Sequence, residues 1–216
     1  MNGVLLTQFI QTELNGIYLF LKRNKDEAIV ISSATLFLSL NRYHPIWNEW
    51  FSALLYYAVL PVLTIVVCLR RNPLDFGLKR GDFKVWGYYA AIVCLIAAPI
   101  LFATSFTPAF QKYYSIEHFS LINYSLVNCA SLFASEFFFR GFLLFGLKEK
   151  LKEGSIFIQM IPFVLVHLGK PELETVSTIL TGILFGYIAY RGKSVWPAFI
   201  IHLFINIFFV MSVNLL

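Results

Sequence analysis

Charge is scarce in this sequence. Only 13% of its 216 residues are Asp, Glu, Lys or Arg, while 58% are hydrophobic, against the roughly one quarter charged that soluble domains carry. That deficit, with a mean hydropathy of +0.72, excludes an ordinary soluble domain and points to the bilayer as solvent. Cysteine is nearly absent too: the three present, Cys68, Cys94 and Cys129, stand singly inside apolar runs with no C-x-x-C spacing. This excludes a disulfide framework and a thiolate metal site, and leaves them as packing residues. There is also no long basic block. The seventeen Lys and Arg residues give a formal charge of +5, but fall in short groups between apolar runs, which is the pattern of membrane topology and not of nucleic-acid binding.

What remains is a succession of apolar runs. Seven can be placed at about 27–41, 51–69, 85–104, 119–146, 155–168, 175–190 and 195–213. Several approach the ~20 residues a helix needs to cross ~30 Å of hydrocarbon, while the first, fifth and sixth are short. Before them, Met1 to Leu21 is interrupted by Gln8, Gln11, Glu13 and Asn15. This fits an amphipathic helix at the interface better than a secretory signal, with an eighth span as the alternative. Thirteen basic residues fall on one side of the seven-run scheme and only Arg42, Lys112 and Lys170 on the other, with Arg140 inside a run. The positive-inside rule then places the N-terminus in the cytoplasm. The expectation is one all-α membrane domain over residues 1–216, a polytopic bundle of about seven spans plus the N-terminal helix, in the plasma (inner) membrane. The polar connection from Arg70 to Lys84, "RRNPLDFGLKRGDFK", reads as a topogenic loop on the cytoplasmic face.

Ionisable groups in hydrocarbon cost several kcal/mol unless paired or hydrated. Glu136 and Arg140 are four residues apart in "SEFFFRG" and so share a helix face. Phe163 and His167 in "FVLVH", and His202 and Asn206 in "HLFIN", repeat that spacing on the fifth and seventh runs. At 1.5 Å per residue from the basic clusters, Glu136 lies ~16 Å deep, Arg140 ~10 Å, His167 ~18 Å, His202 ~10 Å and Asn206 ~16 Å. Five polar side chains thus share one band of the membrane. A structural salt bridge with interhelical hydrogen bonds would account for them; so would a hydrolytic site with carboxylate, imidazole and amide groups. On the fourth run Ser125, Asn128, Ser131 and Ser135 form a polar arc, suited either to a water-lined cavity or to close helix packing. Thr178, Gly182 and Gly186 form a small-residue face suited to tight contact.

These motifs resemble those of the CAAX-processing and bacteriocin-processing (CPBP, or Abi) intramembrane proteases, whose pattern is EExxxR, FxxxH and HxxxN or HxxxB on three helices. Glu136 and Arg140 match the second glutamate and the arginine of the first motif, Phe163 and His167 the second motif, and His202 and Asn206 the third. The motif-bearing core is about 119–213. The resemblance implies an endopeptidase acting on membrane-associated peptides, prenylated or bacteriocin-like. It gives Glu136 to water activation, His167 and His202 to assistance or to a divalent metal such as zinc, Asn206 to the oxyanion and Arg140 to holding the glutamate. One departure stands out: the family's first glutamate falls on Ser135, which is no general base near neutral pH. Either Glu136 takes that role, or Glu172 or Glu174 enters the site, or the chain is an immunity or scaffold protein without proteolysis. A Ser135 nucleophile with His167 as base has no third orienting group, and a transporter lacks paired broken helices. The protease reading predicts that Glu136, His167, His202 and Asn206 line one hydrated cavity open toward the cytoplasm.

Overall fold

The computed structural model describes residues 3–215, so residues 1, 2 and 216 of the expected domain lie outside the described residues. Among the described residues there are helices and no β-strand: α1 (Gly3–Arg23), α2 (Lys25–Tyr43), α3 (Glu49–Leu69), α4 (Phe83–Thr104), α5 (Pro108–Tyr114), α6 (Leu121–Leu151), α7 (Gly154–Leu165), α8 (Glu172–Gly192) and α9 (Trp196–Leu215). Every apolar run of the sequence is a helix. Five, namely α3, α4, α6, α8 and α9, are long and apolar enough to cross a membrane, so this is a multi-pass membrane protein, but seven full spans are not established. The two shortfalls have separate causes. α2 carries Lys25, Asp26, Glu27 and Arg42 at its ends, and the 12 residues of α7 rise only ~18 Å. The sixth run, short by its apolar stretch, gains length because Glu172–Thr175 continue the helix as α8. α1 is continuous and exposed from Leu5 to Arg23.

Two aromatic-rich cores hold the bundle. Val30 and Phe37 of α2 and Tyr57 of α3 meet Phe137, Phe138, Phe139 and Phe142 of α6 and Phe163 of α7. On the other side Trp86 and Ala90 of α4 pack with Phe185 and Ile188 of α8 and Ala198 and Ile201 of α9. With lipid outside, dispersion and close fit drive such packing more than exclusion of water. The small face of α8 shows the fit: a Cβ on Gly182 would meet Met160 Cγ at 2.9 Å, and one on Gly186 would meet the Gln159 amide. Buried Gln159 donates to the Gly182 carbonyl at 2.8 Å, tying α7 to α8.

The Arg70–Lys84 connection is more than a topogenic loop. Asn72 caps a tight turn at Pro73–Asp75, Phe76 enters the first core, and the following carbonyls receive donors from the start of α4 and from the far end of the chain. The Trp196 indole donates to Leu78 O at 3.0 Å, the Ser194 hydroxyl to Lys79 O at 2.8 Å and the Trp86 indole to Arg80 O at 2.8 Å. Val195 N–H donates to Gly77 O, and Asp82 N–H to Gly192 O, both at 2.9 Å. Residues 70–82 thus form a strap over the turn joining α8 to α9. Gly81 has φ +64°, and a Cβ there would collide with the Gly192 carbonyl. Gly81→Ala is therefore expected to destabilise the protein by more than ~1 kcal/mol, read as a lowered Tm in detergent.

Candidate active site

α6 carries the first two site residues. Its helix widens to i→i+5 bonding over Phe137–Leu143, directly after Glu136, and every residue of that stretch is buried. Such widened turns recur at functional sites. Arg140 Nη1 donates to Glu136 Oε1 at 3.0 Å, and both side chains are essentially inaccessible. The guanidinium lies over Phe163 at 3.9 Å from the ring centroid and faces Phe185 at 5.3 Å, so cation–π contact supplements the ion pair.

α9 supplies the third residue. His202 Nδ1–H donates to the same Glu136 Oε1 at 2.6 Å, while its ring rests against Phe163 and Phe185 at centroid distances of 6.0 and 5.8 Å. One turn on, the Tyr124 hydroxyl of α6 donates to Asn206 Oδ1 at 2.9 Å, which fixes the amide orientation and leaves its Nδ2 as donor. His167 follows the end of α7, where Pro162 and Gly169 bracket the transition out of the helix. Its Nδ1–H donates to Phe163 O at 2.6 Å, and Thr175 of α8 donates to its carbonyl at 2.8 Å. The Phe163 of the FxxxH pattern is thus a tautomer-setting carbonyl and a stacking surface as well as a core residue. In both histidines Nδ1 is committed as donor, and Nε2 is the basic nitrogen.

A cavity of about 340 Å³ lies among α4, α5, α7, α8 and α9, with His167, His202 and Asn206 on its wall. Of the four residues expected on one cavity, these three are there. Glu136 is not: it sits behind His202 and reaches the cavity only through that imidazole. Ser135 is half-buried and off the wall as well. The wall extends to Thr104, Tyr114, Lys170 and Glu174, at the end of the bundle opposite the Lys148–Lys152 and Arg191–Lys193 clusters. The polar arc of α6 forms no wall; Asn128 donates to Tyr124 O and Ser131 to Val127 O of its own helix. Glu172 is exposed and away from the site.

Glu174 does line the cavity, at its outer end. Its carboxylate takes the Tyr114 hydroxyl, 2.8 and 2.7 Å from the two oxygens, and Lys170 Nζ at 2.7 Å. Burial first, and the carboxylate second, hold the Tyr114 phenol well above its ordinary range, so it stays a donor. Eleven residues of α8, ~16 Å, separate Glu174 from Phe185 beneath His202, so Glu174 does not replace the missing carboxylate of Ser135 next to that imidazole. The Tyr114 and Tyr124 contacts were not foreshadowed by spacing, since both link residues at least 60 positions apart.

A divalent metal does not fit these residues. No group of three or more His, Cys, Asp or Glu side chains stands close enough to hold an ion among the described residues. The carboxylate nearest the histidines already serves Arg140 and His202, whereas catalytic zinc needs three protein ligands and an open position.

Two oriented imidazoles and an amide thus meet on one buried cavity inside a membrane helix bundle. Comparison with known families agrees: residues 117–208 match the family described as type II CAAX prenyl endopeptidase Rce1-like. The match spans the segment that carries all three motifs and is the resemblance read from them. No curated protein and no solved structure matches the chain.

Proposed function

We propose that the protein is an intramembrane endopeptidase of the CAAX-processing type, lying in the plasma (inner) membrane with its N-terminus in the cytoplasm, and that its general base is His202. The observation that carries this reading is the Glu136–His202 hydrogen bond of 2.6 Å at the inner end of the cavity. The match of residues 117–208 to that family supports peptidase chemistry, and the geometry suggests how a chain with Ser135 in place of the first glutamate performs it. His202 Nε2 takes a proton from water as the oxygen attacks the scissile carbonyl carbon. Glu136 stabilises the imidazolium and fixes its tautomer, as a carboxylate does behind a catalytic histidine. The oxyanion receives Asn206 Nδ2–H, the proton on His202 passes to the leaving amine nitrogen, and the C–N bond breaks. His167 Nε2 accepts a hydrogen bond from the attacking water and orients it. Arg140 pairs with Glu136 and holds it in place.

The substrate class is a membrane-associated peptide. The test is cleavage of a fluorogenic panel of prenylated and transmembrane peptides by purified protein, wild type against Asn206→Ala. Loss of an oxyanion donor is expected to lower kcat by about 10²- to 10³-fold with little change in KM. An Asn206→Ala variant as active as wild type would overturn the assignment of the amide.

A further inference from the structure

A second recess, apart from the candidate active site, lies between the end of α1 and the end of α6. It measures about 460 Å³ and is lined by Leu19, Phe20, Arg23, Asn24 and Lys150. α6 has 31 residues and rises ~46 Å, more than the ~30 Å of hydrocarbon. Its last turn carries Lys148, Glu149 and Lys150, and charged groups do not settle in hydrocarbon. That turn therefore stands at headgroup level, in whichever leaflet this end lies. Leu19 and Phe20 are 62% and 65% exposed, so α1 brings an unpacked apolar surface to the same level.

The two cations of this recess differ from their neighbours in having no partner. Arg71 pairs with Glu149, and Lys79 with Asp75 at 2.6 Å. Lys148 donates to Tyr190 O at 3.1 Å and lies 4.0 Å from the centroid of that ring. Among the described residues neither Arg23 nor Lys150 forms an ion pair. No carboxylate lines the recess: Asp26 and Glu27 of α2 are off its wall, and Glu149 is taken by Arg71. Asn24 completes the polar side, its amide held by a bond to Phe20 O at 2.9 Å.

Two unpaired cations, no anion and an adjoining apolar wall are complementary to a phosphate that carries hydrocarbon. A guanidinium offers two phosphate oxygens a planar fork, and an ammonium adds a point charge. Leu19 and Phe20 supply apolar contact that a free phosphate would leave unused. Basic pockets between membrane helices at headgroup level bind lipid headgroups by the same chemistry. We propose that this recess binds the headgroup of an anionic phospholipid, which bridges the ends of α1 and α6. The site goes beyond the proposed peptidase reaction and does not depend on it.

The test is equilibrium binding of fluorescent phosphatidylglycerol to the purified full-length protein in detergent, against phosphatidylcholine with the same acyl chains. The wild type is expected to bind phosphatidylglycerol at least tenfold more tightly. The double variant Arg23→Gln, Lys150→Gln is expected to lose that preference. A second double variant, Lys84→Gln, Arg191→Gln, removes the same charge from the start of α4 and the last turn of α8, outside the recess, and is expected to keep it. Equal loss in both variants would reduce the effect to diffuse surface charge and overturn the site. Inorganic phosphate is the competitor: displacement of the lipid at a comparable concentration would give the recess to a free anion and overturn the lipid assignment. The wild type decides even if the Arg23, Lys150 variant fails to fold, because equal affinity for the two lipids overturns the proposal.

Discussion

Replacing His202 by alanine is expected to lower kcat on a cleavable membrane peptide by about 10²- to 10⁴-fold, the range for loss of a general base. The same variant is expected to recover part of that activity in added imidazole, because the missing group lined an accessible cavity. Glu136→Ala is expected to lose as much and to recover nothing, since its carboxylate acts through His202 and is buried behind it. This contrast separates the two roles the carboxylate could have. Were Glu136 the group that activates water, His202→Ala would keep most of its activity. Ser135→Glu provides a further check: off the cavity wall, a glutamate there is expected to add no activity. A tenfold gain would return the base to the position the family pattern assigns and remove it from His202.

Arg140→Met is expected to be the most destabilising single change in the protein. The guanidinium is inaccessible and paired with an equally inaccessible carboxylate, and removing one partner of such a pair costs roughly 3–5 kcal/mol because the other charge is left buried alone. Arg140→Lys is expected to recover only part of this, since an ammonium cannot stack its plane on Phe163 as the guanidinium does. The double variant Glu136→Leu, Arg140→Met removes both charges and is expected to be more stable than Arg140→Met alone while lacking activity. Thermal unfolding of the four proteins in one detergent measures the set; an Arg140→Met protein as stable as wild type would show that the pair contributes nothing to the fold.

The helical architecture was legible because apolar runs in a membrane protein leave the backbone no alternative but internal hydrogen bonding. Span count was less so. The 12-residue α7 and the charged ends of α2 show that apolar content alone does not say whether a helix crosses. In the site, the spacings Glu136–Arg140, Phe163–His167 and His202–Asn206 named six residues, of which Phe163, His167, His202 and Asn206 line the cavity. What spacing could not show was which atoms face which. Glu136 was paired in sequence with Arg140 alone, yet its Oε1 also takes His202 from a helix 66 residues on. The widened turn at Phe137–Leu143 shifts the 100° phase of Arg140 and the residues after it, and no local residue preference announces it. Asn206 was expected from its motif, but Tyr124, which orients it, lies 82 residues earlier in a run where a tyrosine is unremarkable.

The strap has a consequence for how the protein is made. Lys79 O waits for Ser194 Oγ, 115 residues downstream, which at 5–20 residues per second leaves roughly 6–23 s of synthesis between them. For most of that interval α4 is already made while the turn that fixes its spacing from α8 does not exist. The candidate site, which needs His202 and Asn206, is thus completed last, by a fastening of the chain's middle to its end.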